Sequence, residues 1–73
     1  MNTVEKELMM VLCKVEQEQQ ELNTKILRLG NFLKKYKTIN EKHRGLLKAQ
    51  YKIMLQYSMI LDMRIENLIE EME

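Results

Sequence analysis

Residues 50–65, QYKIMLQYSMILDMRI, decide the fold because a polar row runs through an otherwise apolar helical pattern. Gln50, Tyr57 and Arg64 recur at every seventh position, so a helix places them on one side, two turns apart. Met54 and Leu61 belong to a neighbouring apolar row with the same spacing. A helix with polar side chains beside its apolar surface is expected to pack against a second helix that offers matching polar groups.

The composition points to self-association. The 73-residue chain has one cysteine, one histidine, no proline and a net charge of +1. A chain this short buries little surface, so a disulfide, a metal or oligomerisation usually stabilises it. Cys13 has no second cysteine to pair with, and Cys13 and His43 lack neighbours at zinc-ligand spacing. We expect a homo-oligomer with no cofactor, no metal and no catalytic site, in which Cys13 is a small buried residue and His43 is solvated or capping.

The amino-terminal stretch MNTVEKELMMVLCKV has an acidic opening, and Lys14 interrupts its short apolar run. It has no small-residue cleavage site, and the run is too short to span a bilayer. These features indicate a cytoplasmic protein with no membrane partner.

Apolar residues recur at helical spacing almost from end to end, which predicts two long helices. We place the first at about residues 3–36, the turn at about 36–38 and the second at about 39–72, so residues 1–73 form a single helical-hairpin domain. Asn2 or Thr3 is suited to cap the first helix. Thr38 stands three residues before Glu41, which is the spacing of a capping box at the start of the second helix.

A short turn makes the helices antiparallel neighbours, so residues whose numbers add to about 75 are expected side by side. The apolar seam then consists of one row on each helix: Leu8, Val15, Leu22 and Leu29, and Leu47, Met54, Leu61 and Leu68. The neighbouring polar rows also face each other, with Lys25 near Gln50 and Glu18 near Tyr57. The predicted fold is all-α, an antiparallel two-helix hairpin that assembles into a homo-oligomeric helical bundle.

Two interpretations of the polar rows remain open. In the first, Glu18, Tyr57 and Arg64 form a network that sets the register of the helices, as single polar positions do in coiled coils. In the second, polar rows of several protomers converge on a cleft, where Tyr57 stacks on a flat ligand and Lys25 and Arg64 meet its negative charge. The candidate ligand-binding residues are Lys25, Gln50, Tyr57 and Arg64.

Charge separates along the hairpin, with a basic tip at the turn and an acidic open end. The basic residues are Lys34, Lys35, Lys37, Lys42, Arg44, Lys48 and Lys52, and the acidic ones are Glu5, Glu7, Glu66, Glu70, Glu71 and Glu73. Lys42 and Arg44 lie in the first turns of the second helix, where positive charge is unfavourable and a bound anion would offset the cost. We expect a second protomer or a ligand to approach Gly30 and Gly45 closely. The seven methionines are suited to filling an oligomer core.

The runs ELNTKILRLGNFL, residues 21–33, and LLKAQYKIMLQYSMILDMRI, residues 46–65, resemble a family of short helical-hairpin proteins of phages and prophages. The matching residues are Leu22, Lys25, Leu29, Phe32, Leu33, Leu46, Leu47, Gln50, Met54, Tyr57, Ile60, Leu61, Arg64 and Ile65. The resemblance covers roughly residues 18–66. The family is similar to the phage sponge proteins that act against CBASS, the cyclic-oligonucleotide-based antiphage signalling system. Those sponges are helical homo-oligomers that hold the messenger at protomer interfaces without cleaving it, using tyrosine stacking and basic side chains.

The resemblance implies a phage-encoded, non-enzymatic sponge that binds a cyclic di- or trinucleotide in the host cytoplasm and so evades host immunity. The alternative is a structural or protein-binding coiled-coil hairpin that inhibits a host protein. A third reading, nucleic-acid binding through the basic tip, is not favoured because Tyr36 and Tyr51 are the only aromatic residues within that basic run.

Overall fold

The computed structural model describes residues 3–73, which form two long helices. Helix α1 spans Thr3–Lys35 and helix α2 spans Glu41–Met72. The two helices pack side by side in an elongated hairpin with extents of 56 × 14 × 13 Å. The predicted all-α antiparallel hairpin is confirmed. The candidate cap Asn2 lies outside the described residues, and α1 begins at Thr3.

The core follows the predicted seam rows. Val15 and Leu22 of α1 pack with Leu61 and Leu68 of α2, and Leu61 is fully buried. Partly buried side chains extend this cluster along the hairpin: Leu8, Leu12, Ile26, Met54 and Ile65. Among residues 3–73, the two-helix contact buries Leu61 completely, while many other large apolar side chains stay exposed.

The start of α2 is capped by Asn40. Its backbone is extended, and its side-chain Oδ1 accepts a 2.8 Å hydrogen bond from the backbone N–H of His43. The predicted capping box at Thr38 is therefore wrong, and α2 begins at Glu41. The spacing of Thr38 and Glu41 matched the motif, but Asn40 directly precedes the first helical residue, and its short side chain reaches the free N–H groups from there.

Arg44 ties α2 to the end of α1. Its guanidinium donates hydrogen bonds of 2.9 Å to the carbonyl oxygen of Leu33 and 3.1 Å to that of Tyr36. The last carbonyls of a helix lack partners within the helix and carry partial negative charge, so a guanidinium there is stabilising. The positive charge of Arg44 is thus explained within the chain, without the bound anion that its position suggested.

Gly30 gives room to an aromatic ring of the same chain. A Cβ atom added at Gly30 would lie 3.3 Å from Cε2 of Tyr51, while one added at Gly45 would meet nothing within 4 Å. The expectation that a second protomer or a ligand explains Gly30 is wrong, because the ring of Tyr51 from α2 already occupies that space. The same expectation for Gly45 stays a prediction.

Neither described helix contains an apolar stretch long enough to cross a membrane. Many large apolar side chains of the hairpin are nevertheless exposed: Val4, Met9, Met10, Val11, Leu27, Leu46, Ile53, Leu55, Met59, Ile60, Met63 and Ile69. Cys13, which we expected to be buried, is also exposed. Its position on α1 faces away from the interhelical seam, so a core of two helices cannot reach it.

Candidate functional site

A hydrogen bond joins the polar rows of the two helices. The hydroxyl of Tyr57 donates to Oε2 of Glu18 over 2.5 Å. The prediction that Glu18 and Tyr57 are neighbours is confirmed. We call the side of the hairpin that carries Glu18, Lys25, Gln50, Tyr57 and Arg64 the ladder face.

The carboxylate of Glu18 perturbs the phenol. The pKa of Tyr57 is raised above its ordinary value of 10.0, first because its hydroxyl donates to Glu18, and further by desolvation and the negative charge of Glu18. The positive charge of Arg64 acts in the opposite direction. Arg64 is therefore near enough to Tyr57 to be felt electrostatically, as expected from a residue two turns along the same side of α2.

The opposite side of the hairpin carries two further polar contacts that the sequence did not predict. Gln19 donates through Nε2 to the carboxylate of Asp62, and Ser58 donates to Oδ1 of Asn23 over 2.9 Å. We call this side, with these four residues, the amide face. Polar contacts on both faces at the middle of the hairpin hold the two helices in one register.

An open groove of about 410 Å³ lies between the helices on the ladder face, in the half nearer the turn. Its lining residues are Lys25, Arg28, Leu29, Phe32, His43, Leu47, Gln50 and Met54. The two cations come from α1, while α2 supplies Gln50, whose Nε2 lies 3.8 Å from the sulfur of Met54. The groove thus combines an apolar floor with one aromatic ring, one imidazole, one amide and two positive charges.

The structure brings together two of the four predicted site residues. Lys25 and Gln50 line the groove, as their predicted proximity required. Tyr57 and Arg64 do not line it, because they lie about 10 and 20 Å further along α2 from Gln50. Within one hairpin, the candidate site is therefore divided between the groove and the middle of the ladder face.

Sequence reasoning missed three groove residues, Arg28, Phe32 and His43. His43 is exposed, in agreement with the expectation that it is solvated or capping, and it also lines the groove with Phe32. Facing residues have numbers that add to about 75, and this rule predicted Lys25 beside Gln50. The numbers of Phe32 and His43 also add to 75, so the same rule could have placed these two residues together. Across residues 3–73, no three metal-ligating side chains lie close enough together to hold a metal ion.

These features define a small two-helix hairpin protein with an open, cationic groove between its helices. A family model described as Sequestin matches residues 4–67. The chain belongs to the Sequestin family. No curated protein and no solved structure shows significant similarity to it.

Proposed function

We propose that the protein is a phage-encoded, non-enzymatic sponge that sequesters a cyclic di- or trinucleotide messenger at protomer interfaces and so counters host antiphage signalling. The observation that carries the proposal is the groove on the ladder face, where Lys25 and Arg28 stand beside the ring of Phe32. The family name, Sequestin, denotes sequestration, which supports binding rather than turnover.

The groove chemistry is suited to a nucleotide. Cations bind phosphodiester oxygens through charge-assisted hydrogen bonds, and the fork of Arg28 matches a phosphate better than a point charge does. The flat groups Phe32 and His43 offer surfaces for base stacking, and the amide of Gln50 offers both a donor and an acceptor to a base edge. The phosphates and the bases of a cyclic nucleotide therefore each have suitable partners in the groove.

The groove is open, and this supports binding between protomers. Its volume of about 410 Å³ is at the small end of ligand pockets, which are roughly 300–1,000 Å³ and cover most of the ligand. A second protomer laid on the ladder face would cover the ligand together with the exposed apolar residues Leu46, Ile53 and Ile60. In this proposal Tyr57 and Arg64 complete the site from such an interface.

Isothermal titration calorimetry tests the proposal with cyclic di-GMP, cyclic di-AMP, cyclic GMP–AMP and cyclic tri-AMP. We expect one of them to bind with micromolar or tighter affinity and to be recovered intact by chromatography. Lys25→Ala should weaken that binding at least tenfold, about 1.4 kcal/mol. Lys52→Ala is the matched control, since Lys52 is exposed and lies on the opposite side of α2 from Gln50. A flat titration with all four compounds would refute the sponge.

The exposed apolar row Leu46, Ile53 and Ile60 favours a second candidate, a hairpin that packs on a host protein and inhibits it. This function would persist in Lys25→Ala, which leaves the apolar row intact.

The basic tip makes nucleic acid the third candidate. Nonspecific binding there would weaken steeply with added salt, because each neutralised phosphate releases counterions. We expect no shift of single-stranded or duplex DNA in a gel at physiological salt, and a tight shift under those conditions would favour this candidate over the sponge.

A further inference from the structure

The polar row of α2 is centred on the middle of its helix. Because α2 spans Glu41–Met72, its midpoint lies next to Tyr57. Gln50 lies about 10 Å from that midpoint toward the turn, and Arg64 lies about 11 Å from it toward the open end. A second copy of α2, laid antiparallel on the first with full overlap, would therefore place its Arg64 at the level of Gln50.

An exposed apolar row accompanies the polar row on the ladder face. Leu46, Ile53 and Ile60 follow one another at seven-residue spacing, with 63%, 63% and 53% of their surfaces exposed. Ile53 precedes Tyr57 by four residues and Ile60 follows it by three, so both are its neighbours on the helix surface. Under the antiparallel overlap, Ile53 of one copy lies opposite Ile60 of the other, so these two isoleucines of each copy cover each other.

Charge selects the antiparallel orientation. Two hairpins laid in the same direction would stack one basic tip on another, whereas opposite directions place a basic tip on an acidic open end. Lys42 and Glu71 illustrate this, because they lie at equal distances from the midpoint of α2 and on the same side of the helix as Ile53. Each Lys42 would face the Glu71 of the other copy.

We propose that a second copy packs antiparallel on the ladder face, with its two-fold axis at Tyr57, and that each groove is completed by Arg64 of the partner subunit. The resulting site holds Lys25, Arg28 and Gln50 of one protomer with the partner's Arg64, and the Tyr57 rings border it at the axis, about 10 Å along α2 from Gln50. Three cations converge there, and a phosphate-bearing ligand neutralises them. The two Glu18 carboxylates lie near the axis, where each already accepts the hydroxyl of a Tyr57. The assignment of the ligand rests on the proposed function, and the packing does not.

Disulfide trapping tests the packing without any ligand. In a Cys13→Ser background, Ile53→Cys and Ile60→Cys proteins of different tag length are mixed, refolded together and oxidised. We expect mixed-length disulfide dimers, because a bridge requires Cα atoms within about 7 Å. Leu46→Cys mixed with Ile60→Cys is the matched control and should not cross-link. Leu46 belongs to the same exposed row, but it lies two turns along α2 from Ile53, the residue expected opposite Ile60. Same-length dimers formed by Ile53→Cys alone would indicate parallel packing and overturn the proposal.

Complementation tests the composite site. Lys25→Ala and Arg64→Met proteins should each bind cyclic GMP–AMP, or the tightest of the four compounds above, at least tenfold more weakly than the natural protein. When the two variants are refolded together, half of the random dimers regain one intact site. We expect the mixture to bind the compound with the affinity of the natural protein, but with roughly a quarter as many binding sites per chain. No recovery on mixing would mean that Lys25 and Arg64 act within one protomer, and would overturn the composite site.

The two experiments distinguish a failure of the proposed function from a failure of the proposed packing. If none of the four compounds binds the natural protein, the proposed function fails, while the trapping pattern still decides the packing. If a compound binds but Ile53→Cys and Ile60→Cys do not cross-link, the sponge function stands and the antiparallel packing is refuted.

Discussion

Tyr57, on the ladder face, can make two kinds of contact, one through its hydroxyl and one through its ring. Its hydroxyl donates to Glu18 across the hairpin, and its ring stands among exposed apolar neighbours at the middle of α2. The hydroxyl bond belongs to the register network, whereas the ring is available for packing or stacking. The two interpretations of the polar row therefore concern different atoms of the same side chain and are compatible.

The raised pKa of Tyr57 predicts a specific pH response. The folded chain holds the phenolic proton more tightly than the unfolded chain does, so the stabilising contribution is complete below about pH 10. It is lost as the pH rises through the folded-state pKa. NMR titration of tyrosine Cζ should show Tyr57 ionising at higher pH than an unperturbed tyrosine. Glu18→Gln should move that pKa back toward 10.0, and no change in the variant would contradict the assignment.

Within the ladder face, Tyr57→Phe and Tyr57→Ala distinguish ring from hydroxyl. We expect Tyr57→Phe to retain binding of the tightest cyclic nucleotide, because the stacking surface remains, and Tyr57→Ala to lose at least tenfold in affinity. Calorimetry on both folded variants checks this. Equal loss in the two variants would show that the hydroxyl, rather than the ring, holds the ligand.

At the scale of the elements, the ends of the two helices are joined by side chains rather than by the turn alone. Asn40 satisfies an N–H group at the start of α2, and Arg44 satisfies carbonyls at the end of α1. Both contacts lie at the basic tip, where they fix the start of α2 against the end of α1. The tip is therefore an ordered part of the hairpin, stabilised by local hydrogen bonds.

Replacement of the cap tests this arrangement. Asn40→Ala removes the acceptor for the His43 N–H and should lower the free energy of unfolding by about 1 kcal/mol. Thr38→Ala, two residues earlier, should change it by much less, because Thr38 is not the cap. Urea unfolding at one fixed protein concentration measures both. A larger loss in Thr38→Ala would restore the capping box.

The two glycines should respond differently to alanine. Gly45→Ala adds a methyl group in open space, so it should stabilise α2 by up to about 1 kcal/mol through helix propensity alone. Gly30→Ala gains the same propensity but presses on the ring of Tyr51, so the net gain should be smaller or reversed. Urea unfolding of the two variants provides the comparison, and a larger gain at Gly30 would contradict the Tyr51 contact. If a partner approaches Gly45 closely, that variant should instead weaken association.

At the scale of the whole molecule, the hairpin is too thin to cover its own apolar residues. Two helices share one line of contact, which buries Val15, Leu22, Leu61 and Leu68 and leaves both flanks open. An isolated hairpin of this kind is marginal, because its buried apolar surface barely offsets the conformational entropy lost on folding. Self-association through the exposed apolar rows would bury more apolar surface and so stabilise the hairpin.

We therefore expect stability to depend on protein concentration. The melting temperature should rise as the concentration increases, because mass action favours the folded oligomer. Circular dichroism over a hundredfold range of concentration, with light scattering at each, measures this. A folded monomer with a constant melting temperature at micromolar concentration would remove both the interface site and the antiparallel dimer.

The amino-acid sequence by itself determined the helices, the seam and the pairing of Glu18 with Tyr57. Heptad spacing is a local property of the chain, and a short turn converts it into an antiparallel register by simple counting along two rods of equal rise. The placement of Lys25 beside Gln50 followed from the same counting.

The tertiary structure alone decided which side chains reach across that register. Asn40 rather than Thr38 became the cap, Arg44 reached the carbonyls of α1, and the ring of Tyr51 settled on Gly30. Each outcome depends on rotamers and on the rotation of one helix about the other, and spacing in the sequence specifies neither. The cationic groove was decided in the same way, because its walls exist only once both helices are packed at a fixed angle and distance.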